Sequence, residues 1–227
     1  MLRSVISRAF MRNQKTAAGG GIVYEGKDDP ENASTTDPYD QTVTIPANTS
    51  TIVLFITGAS IDGQVVGIKL DPAGVNQSFS QVGSISNAFT RSSEMWYLDA
   101  PGVTGAARTI RWDFTGGALG SVLVSALFLS GTDTAGSLRA LGSEAEGTGT
   151  SEELICTLTG GVSTDMVVHM VCSNTTPTFN WSPTLQITDE STFASFRHNV
   201  AIKIGVFASV SSTQDYGACI AAMFKKA

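Results

Sequence analysis

Charge is scarce in this chain. Asp, Glu, Lys and Arg together make up 15% of its residues, well under the quarter or so usual for a soluble domain. Short Ser and Thr side chains and 23 glycines take their place on what must be solvated faces, a surface suited to being covered by partners. Long apolar stretches are missing too. No run reaches the roughly 18 residues of a membrane-spanning helix, and almost no segment carries the 3.6-residue period of a long amphipathic helix.

Cysteine and histidine are few. Cys156, Cys172 and Cys219 are odd in number and widely spaced, which argues against a disulfide framework and against a zinc-finger spacing. They are expected as small buried hydrophobes in strands, in a protein made in a reducing compartment. His169 and His198 lack a companion motif and are expected as satisfied or surface side chains. Catalytic patterns are absent as well: there is no G-x-S-x-G elbow and no Walker or dinucleotide glycine motif. Glu144, Glu146, Glu152 and Glu153 cluster in a Gly-rich stretch, where burial does not raise a carboxyl pKa, and read as solvated acids. The run Asp28-Asp29-Pro30-Glu31-Asn32 offers oxygen ligands without the spacing of an EF-hand loop. The expectation is a protein that is not an enzyme and uses no cofactor and no metal.

What the chain does have begins with an arm. Residues 1–15, MLRSVISRAFMRNQK, hold four of the 14 basic residues and no acidic one, and the breaker run Ala17-Ala18-Gly19-Gly20-Gly21 follows. Arg8 and Arg12 interrupt its apolar stretch before signal-peptide length, so the segment is expected to be retained. Leu2, Val5, Ile6 and Phe10 supply apolar contact, and Arg3, Arg8, Arg12 and Lys15 supply charge. That combination makes residues 1–21 a docking arm. The net charge of −6 includes +4 from residues 1–15, so the other 212 residues carry −10. The body therefore lacks the clustered Lys and Arg that bind nucleic acid nonspecifically. Residues 22–41, with Asp28, Asp29, Asp37 and Asp40 beside Glu25, Glu31, Pro30 and Pro38, read as an exposed acidic connector.

From residue 42 onward, strand-like segments recur about every ten residues between Gly, Pro, Asn and Ser breaks. TIVLFIT (51–57) is continuously apolar, as a strand covered on both sides should be. Thr109–Phe114 alternates, placing Ile110, Trp112 and Phe114 on one face. Val200, Ile202, Ile204 and Val206 likewise share a face, with Lys203 toward water. Asp62-Gly63 and Asp71-Pro72-Ala73-Gly74 read as turns. Gly131–Ser151 reads as the crossover between the sheets of one jelly roll, in preference to a link between two domains. The expected fold is all-β: a single jelly-roll-like antiparallel β-sandwich over 42–227 with an extended N-terminal arm.

The order of these segments carries a resemblance. TIVLFITG, a tight turn and a Val-Gly strand are followed by Ser78-Phe79-Ser80-Gln81-Val82-Gly83 and Glu94-Met95-Trp96-Tyr97-Leu98-Asp99-Ala100-Pro101. Arg108–Phe114 and a Gly-flanked strand ending Leu129-Ser130-Gly131 complete the series. Over about residues 55–224 this resembles β-sandwich modules of bacterial surface proteins and of tailed-phage virion proteins. With the basic arm, the chain is similar to the jelly-roll capsid decoration, or cement, proteins of tailed bacteriophages. The resemblance implies a virion structural protein on the capsid surface, made in the host cytoplasm, with no catalytic residue. It implies a homotrimer that binds the major capsid protein or another virion protein, with no nucleic acid held by the body and no membrane. The residues leave a second reading open: a tail or cell-surface module that binds a receptor or glycan. Trp96, Tyr97, Phe179 and Trp181 would then form a sugar-stacking platform, where core packing is the plainer role for them.

Overall fold

The computed structural model describes residues 21–32, 37–59, 65–86, 91–115, 122–141, 145–146, 152–173, 180–182, 185–186, 191–193, 196–205, 207, 209–214 and 217–227. Among them the chain is all-β with no helix, and every strand pair is antiparallel. The first nine strands are β1 (Val23–Asn32), β2 (Tyr39–Ile45), β3 (Thr51–Ala59), β4 (Val65–Leu70), β5 (Gln77–Ser78), β6 (Ser80–Ser86), β7 (Arg91–Asp99), β8 (Ala106–Phe114) and β9 (Val122–Ser130). They form two sheets, ordered β1-β9-β3-β7-β6 and β2-β8-β4-β5. A chain that passes between two sheets in this order winds as a jelly roll.

The remaining strands are β10 (Leu138–Leu141), β11 (Ala145–Glu146), β12 (Glu152–Thr157), β13 (Met166–Ser173), β14 (Asn180–Ser182), β15 (Leu185–Gln186), β16 (Ser191–Phe193), β17 (Phe196–Ile204), β18 (Ser209–Gln214) and β19 (Gly217–Phe224). Their sheets run β10-β19-β13-β17-β15, with β11 on β19 and β16 on β17, and β12-β18-β14. The order of the main strands repeats that of the first half, with no counterpart of β5 among the described residues. The central strand β3 lies between β7 and β9, and β13 lies between β17 and β19. The registers agree as well: Thr51 faces Asp99 and Leu129, and Met166 faces Ile204 and Phe224. At this register β7 and β17, both nine residues long, begin and end at the same step. The antiparallel sandwich expected from the sequence is what the chain forms, and it forms it twice. Gly131–Ser151 therefore joins one sandwich to the next and contributes β10 and β11, instead of crossing between the sheets of one jelly roll.

The two sandwiches stack with their larger sheets face to face, giving four layers and three cores. One face of β3, β7 and β9 packs Ile52, Leu54, Ile56, Trp96 and Phe128 against Val43, Ile68, Ile110 and Trp112 of the outer sheet. The opposite face packs Val53, Phe55, Met95, Leu127 and Leu129 against Met166, Val168, Met170, Ile202 and Phe224 of the second sandwich. A third core lies between the two sheets of the second sandwich. This explains the sequence pattern. Inner strands such as β3, β9, β13 and β19 are apolar throughout because both their faces are dry, whereas β2 and β8 alternate because one face meets water. Trp112, fully buried as its spacing predicts, is a side chain whose truncation to Ala costs about 3–5 kcal/mol.

Two segments depart from expectation. Residues 23–32 are not an irregular connector but strand β1, at the edge of the first inner sheet, and β2 begins at Tyr39. The acids there bind the sandwich: Asp28 accepts from Gln41 Nε2 at 2.7 Å, Glu25 accepts from Ser130 Oγ at 2.6 Å, and Asp37 accepts from the Phe114 amide at 3.0 Å. Edge position and bulges at Tyr24/Gly26 and Asp28/Glu31 let a strand carry such charge and Pro30. Ile204, expected inward with Val200 and Ile202, is 42% exposed, because it sits at the last step of β17, just before Gly205 at φ +141°. The Asp71–Gly74 turn is as read, with the Gly74 amide donating to Asp71 O at 2.9 Å. Asp62-Gly63, Val206 and the arm lie outside the described residues.

At one end of the apolar middle core, the linker that leaves β9 is held by polar contacts. Thr51 Oγ1 donates to Asp99 Oδ1 at 2.6 Å, the Ser137 amide donates to Asp99 Oδ2 at 2.8 Å, and Thr132 Oγ1 lies 2.5 Å from Ser50 Oγ and 2.7 Å from Thr51 Oγ1. Within the second sandwich, Lys225 pairs with Asp133 at 2.8 Å and Arg139 with the buried Asp165 at 2.5 Å. Buried hydrogen-bonding groups satisfied this way fix the angle at which one sandwich leaves the other.

Candidate functional site

In the third core, side chains from three strands of two facing sheets converge. Cys156 points inward from β12 between Leu154 and Leu158, His169 inward from β13 between Val167 and Val171, and Cys219 inward from β19. All three are completely buried. One donor atom from each lies within 4.8 Å of the others, and Cys156 Sγ is 2.9 Å from Cys219 Sγ. Burial alone pushes the His169 imidazole down to about 3, so the ring is neutral at ordinary pH. Cysteine sulfur and a neutral imidazole nitrogen are donors that thiophilic metal ions select, and no other group of this kind converges among the described residues.

The three cysteines are buried, as expected from their residue type. What sequence spacing hid is that two of them meet a histidine. Cys156 and His169 are 13 residues apart and Cys219 lies 50 further on, distances that are meaningless until β12, β13 and β19 are brought together. The only legible signal was that all three occupy inward positions of apolar strands. Cys172, by contrast, is three residues from His169 and belongs to the opposite face of β13.

The remaining candidates fall out differently. Trp96 faces the first core and donates Nε1 to Glu94 Oε2 at 2.8 Å, while Gln81 Nε2 donates to the same oxygen at 3.1 Å. Tyr97 faces the other way, edge-on to Phe224 with ring centroids 6.2 Å apart. Trp96 and Tyr97 are thus on opposite sides of one sheet and do not share a sugar-stacking platform. Phe179 and Glu144 lie outside the described residues. Of the other acids, Glu146 falls in β11, Glu152 and Glu153 in β12, and Glu153 is exposed. The docking residues Leu2, Arg3, Val5, Ile6, Arg8, Phe10, Arg12 and Lys15 lie outside the described residues.

No protein family and no curated protein matches the sequence. Among solved structures the chain is similar to a biofilm-associated protein BSP domain, at 10% identity and TM-score 0.26, over 91% of this chain and 49% of that one. It is similar also to a biofilm-associated protein B domain, at 10% identity and TM-score 0.23, over 90% and 72%. The chain spans about half the length of the first of these. At such TM-scores neither likeness bears on function.

Proposed function

We propose that this chain is a structural, non-catalytic virion protein that decorates and reinforces an assembled phage capsid, held there by its N-terminal arm. The observation that carries the reading is the charge split, +4 on residues 1–15 against −10 on the rest, set beside a body whose inner sheets are covered on both faces. Such a stack has no hydrated interface along which its layers can slide, and it resists deformation as one block. The arm joins apolar burial by Leu2, Val5, Ile6 and Phe10 to pairing of Arg3, Arg8, Arg12 and Lys15 with carboxylates of the major capsid protein or another virion protein. Closed association, a homotrimer on the resemblance, would cover the low-charge outer faces.

The test is co-sedimentation of the intact chain and of a chain lacking residues 1–21 with capsids. The shortened chain is expected to stay folded, because every described strand begins at Val23 or later, and to lose capsid binding. Added salt is expected to weaken the intact chain only in part, since screening removes the charge contribution and spares the apolar one. Unchanged saturation by the shortened chain would refute arm docking, and binding of glycans in place of capsids would favour the receptor-binding reading.

A further inference from the structure

The chain contains its own control for the buried cluster. In the first sandwich Leu54 of β3 faces Ala126 of β9 and Ile56 faces Val124. In the second, His169 of β13 faces Ala221 of β19 and Val171 faces Cys219. Leu54 and Val124 are therefore the counterparts of His169 and Cys219. On the outer sheets, the inward apolar side chains of β2 are Val43 and Ile45, where β12 places Leu154 and Cys156. The fold is thus satisfied at these three positions by aliphatic side chains, all buried. The second sandwich replaces all three with Cys, His and Cys, three of the five cysteines and histidines in the whole chain.

We propose that Cys156, His169 and Cys219 form a structural site for a thiophilic d10 cation, Zn2+ or Cu+, between the two sheets of the second sandwich. Packing does not call for a histidine there, since its counterpart is the aliphatic Leu54. A Cys156–Cys219 disulfide would account for two of the three replacements, whereas a metal accounts for all three. Thiolate sulfur and imidazole nitrogen are the donors these ions select. Binding displaces one proton from each thiol to solvent. Zn2+ with two thiolates and a neutral imidazole then carries no net charge, which suits a dry core.

The geometry needs little change. With metal–sulfur bonds of about 2.3 Å, two bound sulfurs sit about 3.8 Å apart on a tetrahedral ion and about 4.0 Å apart on a trigonal one, so the present 2.9 Å opens by about 1 Å through side-chain rotation. Cu+ is complete with three soft donors, and Zn2+ leaves one tetrahedral position for a further ligand. Because all three ligands are fully buried, the ion enters while the second sandwich is folding, or when β12, which pairs only with β18 in its sheet, opens.

The experiment uses the full chain, denatured with chelator and reductant and refolded without oxygen in Zn2+, in Cu+, or in neither. The readouts are metal content after dialysis, thermal midpoint, and the number of thiols alkylated after denaturation. The expected result is about one ion per chain, a higher midpoint with the bound metal, and a thiolate-to-metal charge-transfer band when Co2+ replaces Zn2+; the two refolding arms decide which ion is held more tightly. The combined change Cys156→Val, His169→Leu, Cys219→Val gives the cluster aliphatic side chains of the kind the first sandwich uses and is expected to fold while losing the ion. Cys219→Val alone is the second test of the same loss, and Cys172→Ala is expected to keep the ion. The proposal is overturned by three alkylatable thiols with no retained metal, by a chain two hydrogens lighter with one alkylatable thiol, or by equal metal retention in the triple variant.

Discussion

Where the first sandwich fills the space between its sheets with aliphatic side chains, among them Leu54 and Val124, the second places His169 and Cys219 at the same steps of the inner strands and Cys156 on the facing outer strand. The architecture tolerates both fillings. Strand order and register follow from which positions are dry, and Val, Cys and a neutral His are all dry enough to hold a central strand in place. The difference teaches that the burial pattern sets this fold and that residue chemistry is left to do something else. The outer sheets differ as well. In the first, Arg111 grips Asp40 through two 2.8 Å hydrogen bonds across β2 and β8. In the second, β18 is a Ser- and Thr-rich strand between β12 and β14.

The largest expected effect comes from separating the two halves. Residues 22–130 alone would expose Val53, Phe55, Met95, Leu127 and Leu129, and residues 131–227 alone would expose Met166, Val168, Met170 and Phe224. Each fragment is expected to self-associate or precipitate, as sedimentation would show. Two soluble, well-folded monomeric fragments would mean that the sandwiches are independent.

Reciprocal exchange at one matched position sharpens the comparison. Leu54→His buries an imidazole in a core with no soft donor beside it, and is expected to lower stability by about 3 kcal/mol in denaturant titration. His169→Leu in metal-free protein, which puts the first sandwich's residue at this step, is expected to cost much less than Leu54→His. Equal losses from both exchanges would show that the two cores are not interchangeable.

The smallest effect concerns acid. Hydrogen bonds from Arg111 hold the Asp40 carboxyl below its ordinary 3.8. A depressed folded-state value means the unfolded chain takes up the proton first, so the pair's contribution is present above pH 3.8 and is lost as pH falls through the lowered value. Asp40→Asn is expected to remove this small acid-sensitive component while scarcely changing the thermal midpoint at neutral pH, as exposed pairs usually behave. A large loss at neutral pH would contradict it.

Much of the fold was legible because the physics is local. The unbroken run of β3 announced a strand dry on both faces, and alternation in β8 placed Trp112 inside. Besides short strands, two were missed because their residues argue against burial. β1 carries Glu25, Lys27 and Asp28 on a bulged edge, and β18, Ser-Val-Ser-Ser-Thr-Gln, has one apolar side chain in six. The repeat itself was hidden. When β3 and β13 are matched by register over 51–58 and 166–173, only Val53 and Val168 are identical. The cluster was illegible for the same reason, since it exists only once two sheets are folded over each other. Residue types spaced 13 and 50 apart carry no sign of that.

Native-state hydrogen exchange followed by mass spectrometry tests most directly the claim that two jelly rolls share one middle core. The inner strands β3, β9, β13 and β19 contribute to that core from both sides, so their amides are expected to be the slowest in the chain and to open together with nearly the same free energy. If β13 and β19 exchange well before β3 and β9, the second sandwich opens on its own, and the shared core is not what holds the chain together.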